Sequence, residues 1–248
     1  MSEVLSLFIF LLVGVFAGFL DSVVGAGGLF SVPLLIFLGL PPQVAIATDR
    51  FGTIGQTMAA LFKFQKYKKI LWNHVPLLAL IAFVGSLIGA NILLNVEQKI
   101  LQQIVGVLLF ILLPFIFTKQ DLGVKHIKKN KIKIIVGILF YFIIMVFSGF
   151  FGQGTGPLIF YVLVYFWGFT MVEVLATGVI PWFVLSISSL IIFAVNGIID
   201  YYIGLILFVG MVIGGYFGAY IAVKKGDLWI KRIFIIFIII FGIKLLFF

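Results

Sequence analysis

Arg50 offers the most chemistry in this chain, because it places a permanent charge inside an otherwise apolar run at 44–62. A lone arginine at the bilayer centre costs about 2.5–3.5 kcal/mol on insertion scales, so its guanidinium must face protein, water or a counter-charge. Three roles fit: a structural pair with Asp21 or Asp49, a planar fork that binds an anionic substrate, or a side chain snorkelling to an interface. Asp49 and Arg50 are adjacent and point about 100° apart on a helix, whereas Asp49, Thr53 and Gln56 share a face. Asp21 lies four residues before a glycine-rich break. It is the first candidate to carry a coupling proton, and Asp49 is the second.

Gly25, Gly27 and Gly28 form one such break, and Gly152, Gly154 and Gly156, with Gln153 and Thr155 between them, form another. Each precedes an apolar run too short for a comfortable perpendicular span, 29–38 and 156–167. A short helix starting after each break would aim its free N–H groups and the positive end of its dipole at an anion. Both breaks, together with Arg50, Thr53 and the paired threonines Thr48 and Thr177, are therefore the expected substrate contacts. The glycines are no dinucleotide fingerprint, because no strand precedes them. Gly14 with Gly18, Gly85 with Gly89, and Gly214 with Gly218 have the spacing of close helix packing.

Other chemistries find little support. His74 and His126 stand beside basic loops without Cys or Glu at ligand spacing, so no metal site is expected. The chain has no cysteine, no nucleotide-binding motif and no Ser/His/Asp or HExxH arrangement. No cofactor and no catalytic residue are expected, and an intramembrane enzyme is the weakest reading.

The elements that must position these residues are membrane helices. Hydrophobic residues make up 64% of the 248 and charged residues only 10%, against roughly 25% charged in a soluble domain. Runs at 4–24, 44–62, 75–94, 100–117, 134–151, 172–195, 203–223 and 233–248 could each cross a bilayer. Unpaired backbone is too costly in hydrocarbon for open strands, so these runs are helices. Met1-Ser2-Glu3 supplies no positive n-region, which reads as a retained first helix rather than a signal peptide.

The chain also repeats itself. Residues 39–90 align without a gap onto 168–219 at an offset of 129, matching Ala47-Thr48 with Ala176-Thr177 and Gly85, Gly89 and Ala90 with Gly214, Gly218 and Ala219. Upstream, after a two-residue shift, Gly25-Ala26-Gly27 aligns with Gly152-Gln153-Gly154. The expected organisation is a first repeat at 1–118, a basic linker at 119–133 and a second repeat at 134–248. Of 17 basic residues, 14 fall in loops at 63–69, 119–133 and 224–232. Short basic loops stay cytoplasmic, which accounts for the net charge of +9 without nucleic acid. All three lie on one side only if the repeats are inverted, with an odd number of crossings in each. The short segments either span or dip in and return as re-entrant pairs.

The stretch from Phe16 to Gly28, with Asp21-Ser22-Val23-Val24-Gly25-Ala26-Gly27-Gly28 at its end, then Pro33, Gly39-Leu40-Pro41-Pro42 and Ala45-Ile46-Ala47-Thr48, resembles the first repeat of the TauE/SafE family of sulfite and organosulfonate exporters. That family is also called the toluene sulfonate uptake permeases. Ser148-Gly149-Phe150-Phe151-Gly152-Gln153-Gly154-Thr155-Gly156 resembles its second-repeat glycine motif. The chain departs from the family pattern at Ser148, where an acid is common, and at Gly178 and Val179, where a polar or basic residue is common. The resemblance implies a multi-pass carrier of the prokaryotic plasma (inner) membrane, moving small sulfur-containing or carboxylate anions. The expected fold is an all-α polytopic membrane protein of two inverted repeats, and the expected partners are a small anionic substrate, the lipid bilayer and protons. A homo-oligomer, and a non-transporting scaffold whose repeats only pack, both stay open.

Overall fold

The computed structural model describes residues 3–95, 97, 123–126 and 131–236. Among them every regular element is helical. The described residues of the first repeat form α1 (Glu3–Val24), α2 (Gly28–Phe37), α3 (Pro42–Lys66) and α4 (Val75–Asn95). Those of the second form α5 (Lys131–Phe151), α6 (Gly156–Trp167), α7 (Met171–Val195) and α8 (Tyr201–Lys225). Residues 227–236 are helical as well. The bounds of α3 and α7 differ by the repeat offset at both ends.

Five described helices, α1, α4, α5, α7 and α8, are long and apolar enough to cross a membrane. α3 is as long at 25 residues but carries Asp49, Arg50 and its terminal lysines. The expected crossing at 100–117, and most of that at 233–248, lie outside the described residues.

The glycine breaks turn the chain back on itself. Phe30 stacks edge-on against Phe16 with centroids 4.7 Å apart, and a Cβ at Gly27 would strike Asp21 Cβ at 2.8 Å, so α2 runs antiparallel along α1. In the second repeat Phe166 stacks on Phe140 at 5.6 Å and Lys133 Nζ lies 5.1 Å from the Tyr165 ring. α6 therefore returns along α5 in the same way. Each short segment is the returning arm of a hairpin.

Backbone approaches fix the remaining directions. Gly14 packs on Leu207 and Gly210, and Gly18 on Met211 and Gly215, so α1 and α8 run parallel; Gly52 on Leu207 and Gly215 on Gln56 align α3 with them. Gly85 meets Met145 and Gly89 meets Gly149, while Ser86 Oγ donates to Ser188 Oγ at 3.0 Å, so α4, α5 and α7 form a second parallel set. Leu71, just past the end of α3, bonds Thr177 near the start of α7, and Asp200, just past the end of α7, bonds Thr48 near the start of α3, so α3 and α7 run antiparallel. The two sets are antiparallel, and repeat mates point in opposite directions. These approaches are also the role expected of the small-residue pairs: nothing larger than hydrogen fits where the helix backbones touch.

A reciprocal pair of hydrogen bonds marks the pseudo-symmetry. The Leu71 N–H donates to Thr177 Oγ1 at 3.0 Å, and the Asp200 N–H donates to Thr48 Oγ1 at 3.1 Å. Leu71 and Asp200 are repeat mates, as are Thr48 and Thr177. Each half thus satisfies a backbone donor ahead of a long helix in the other half. The basic ends of α3 and α8 and the basic start of α5 consequently share one side of the bundle.

Candidate functional site

The first break is organised by Asp21, in the last turn of α1. Its Oδ1 accepts from the Gly27 N–H at 3.3 Å, and Gly25 takes a φ of +68°, a conformation glycine adopts without strain. The Leu29 and Phe30 N–H groups donate to the Ala26 and Gly27 carbonyls at 3.2 and 3.0 Å, and Gly28 is buried as the first residue of α2. A carboxylate of the protein itself therefore occupies the helix start expected to face a bound anion. The reason is local: an acid one turn before the break reaches back to an orphan donor.

The second break is built differently. Ser148, the mate of Asp21, has Oγ 2.5 Å from Thr155 Oγ1, and Gly152 has a φ of +94°. Gly154 lies against Phe151 and Leu29; the Gln153 side chain lies outside the described residues. The two breaks meet, since a Cβ at Gly25 would stand 3.1 Å from Gly156 Cα.

Arg50 reaches across this junction. Its Nη2 donates to the Ser148 carbonyl of the second repeat at 2.6 Å, at the carbonyl end of α5, where the helix dipole favours a cation. Gly152 presents a bare Cα to the fork, and a Cβ there would stand 4.0 Å from Nη2. The side chain is only 1% exposed, yet Nε and Nη1 have no hydrogen-bond partner among the described residues. Among the described residues no carboxylate lies within 4.0 Å of it. Asp49, its sequence neighbour, instead accepts at Oδ1 from Ser31 Oγ on α2, 2.5 Å away, and its Oδ2 is buried without a partner among the described residues.

Several sequence candidates fall elsewhere. Thr48 and Thr177 are occupied by the reciprocal backbone bonds between the repeats. Thr53 donates to the Asp49 carbonyl in its own helix at 2.9 Å. Ser31 and the Ser148 carbonyl escaped sequence reasoning. Ser31 had a signal, as the one hydroxyl in the apolar run after the first break; the carbonyl had only the helix end that frees it.

On the other side of the junction is a cavity of about 30 Å³. The first repeat lines it with Asp21, Ser22, Gln56 and Thr57, and the second with apolar groups that include Val179 and Trp182. Val179 is the repeat mate of Arg50, and Gly25 beside it is the mate of Gly152. One fold position thus occurs twice, once with a buried guanidinium and once with a carboxylate-lined cavity.

Two buried hairpins joined at their glycine turns, with half the chain mirroring the other, agree with comparisons to known proteins. The profile of the sulfite exporter TauE/SafE family matches residues 10–245. The chain belongs to that family. A probable membrane transporter protein of Haemophilus influenzae is 26% identical over 225 residues, covering 90% of this chain and 88% of its own. The probable membrane transporter protein YfcA of Escherichia coli K12 is 26% identical over 235 residues, 95% of this chain and 87% of the other. The probable membrane transporter protein ORF9 of a Sinorhizobium species is 27% identical over 239 residues, 96% and 91%. No solved structure matches. The family resemblance read from the two glycine motifs is thereby shown, and the chain is a multi-pass membrane protein of a transporter family.

Proposed function

We propose that this chain is a secondary transporter, an exporter by its family, that moves a small anion such as sulfite, a sulfonate, a related sulfur oxyanion or a carboxylate by alternating access between its two repeats. The observation that carries this reading is the buried Arg50 fork with Nε and Nη1 unpartnered. Leaving charged donors unsatisfied costs more than an ordinary lost hydrogen bond, and an oxyanion accepting from a planar guanidinium removes that cost. The position supports transport as well, because Arg50 belongs to the first repeat while its acceptor among the described residues, the Ser148 carbonyl, belongs to the second. A shift of one repeat against the other would change what the fork faces. The antiparallel repeat mates and the shared side of the basic helix ends support inversion across a prokaryotic inner membrane, with loops 63–69, 119–133 and 224–232 cytoplasmic.

The test is a thermal-shift screen of purified protein against sulfite, sulfate, thiosulfate, sulfonates and small carboxylates. A ligand bound only by the folded state stabilises it by about 2.7 kcal/mol at 100 times Kd. At least one of these anions should raise the melting temperature saturably, and a flat response to all of them would remove the proposal.

A further inference from the structure

We infer that the cavity beside the first glycine break is a binding site for a monovalent cation of sodium's size, separate from the Arg50 fork. Its polar wall supplies oxygen. Asp21 stands there with Oδ1 on the Gly27 N–H, and Ser22 and Thr57 contribute hydroxyls. Gln56, 3% exposed, uses its Nε2 to donate to Ser22 Oγ at 2.8 Å. That fixes the amide so that its Oε1 is buried with no hydrogen-bond partner among the described residues. Asp21 and Gln56 line one cavity, and a carboxylate and an orphan carbonyl oxygen are both acceptors, so neither can satisfy the other. A hard cation satisfies both at once.

Charge and size choose the kind of cation. One carboxylate among neutral oxygens balances a single positive charge, and no cluster of three or more acidic, histidine or cysteine ligands occurs among the described residues, which argues against a divalent ion. A volume of about 30 Å³ is room for one small ion or a water. The cavity also adjoins the carbonyl end of α1, where the helix dipole favours a cation and where broken helices of transporters hold coupling ions. Arg50 lies about 100° round α3 from the Asp49 face that Gln56 continues, and its Nη2 is engaged at Ser148. The opposite wall, with Ile159, Val179 and Trp182, offers no competing donor except the indole N–H. This inference gives the proposed transporter its coupling ion and rests on that reading only for the word coupling; binding itself stands alone.

The experiment uses the full chain in detergent with no substrate anion. Sodium gluconate replaces choline gluconate at constant total salt while melting temperature and tryptophan fluorescence are followed. Trp182 lines the cavity, and W182F assigns the optical signal. The expected result is a saturable response to sodium that potassium does not reproduce. Asp21→Asn, which can still accept from Gly27, should abolish it, and Gln56→Leu, the residue at the matched place of the second repeat, should weaken it at least tenfold. Should Asp21→Asn fail to fold, Gln56→Leu carries the test. Equal responses to sodium, potassium and choline, sodium responses unchanged in both variants, or a response to acidification alone would each overturn the inference, the last leaving Asp21 as a proton site. A sodium response without any anion response would sink the anion proposal and spare this one.

Discussion

Around the first break the wall of the cavity carries Asp21, Ser22 and Gln56, whereas the second repeat has Ser148, Gly149 and Leu185 at the matching places. On the other side of the junction the asymmetry reverses in sign, with Arg50 set against Gly152 where its mate Val179 and Gly25 line the cavity. The backbone plan is nearly identical in both halves, down to the positive φ of Gly25 and Gly152, of Gly39 and Gly168, and of Lys68 and Gly197. Duplication supplied two equivalent niches, and substitution made one cationic and one acidic. Pseudo-symmetry here is a property of helix ends and close approaches; the charges belong to one repeat.

If that division is right, changes at shared backbone positions should damage the fold and changes at mate-specific side chains should damage binding. The largest effect is expected at the hairpin junction. In Gly156→Ala the new Cβ would lie 2.6 Å from Gly25 Cα, and since backbone cannot yield as a side chain does, the change should cost about 3 kcal/mol or more. Gly178→Ala is the control, with only Trp182 Cδ1 near, at 3.8 Å. Melting curves of the two proteins make the comparison, and equal stability would mean that the hairpins do not meet as described.

A smaller and symmetric effect is expected at the threonines. Thr48→Val and Thr177→Val each remove one acceptor from a backbone N–H of the other half, a loss of about 1–3 kcal/mol apiece. Both should lower the melting temperature by similar amounts while leaving anion affinity unchanged. A substrate role for either would instead show as weakened anion binding in that variant alone.

Sidedness should be readable with no energetic effect at all. The chain has no cysteine, so exposed Asn196 and Lys225 can be replaced singly by cysteine and probed with an impermeant thiol reagent. Asn196→Cys should label from outside, and Lys225→Cys only after permeabilisation. Labelling of both from one side would break the inverted arrangement.

Much of this scaffold was legible in the sequence because it is written in residues that have few alternatives. A glycine is needed where a chain turns with positive φ, as at Gly25 and Gly152, and small residues are needed where helices touch, as at Gly14, Gly18, Gly85 and Gly89. Loop lysines gave the shared side of the basic ends. The site was less legible. Thr48 and Thr177 recur at matched places, which suggested substrate contact, and the structure adds a reciprocal pair of backbone bonds between the halves that sequence could not show. The Asp21 carboxylate at the start of α2 could not be foreseen from the dipole alone, because the dipole does not say whose anion it attracts. The acceptor of Arg50 is a main-chain carbonyl 98 residues away, and a carbonyl has no residue type to read.

The central claim is that the unpaired part of the Arg50 fork holds the substrate anion. Its most direct test is the affinity of Arg50→Lys and Arg50→Ala for whichever anion stabilises the wild-type protein, measured by titrated thermal shift with the melting temperature without ligand as the folding control. Losing the planar fork but keeping the charge should weaken binding by about 10- to 100-fold, a loss of about 1.5–3 kcal/mol for charge-assisted hydrogen bonds, and Arg50→Ala should show no anion-dependent shift. Wild-type anion affinity in a folded Arg50→Ala protein would contradict the account.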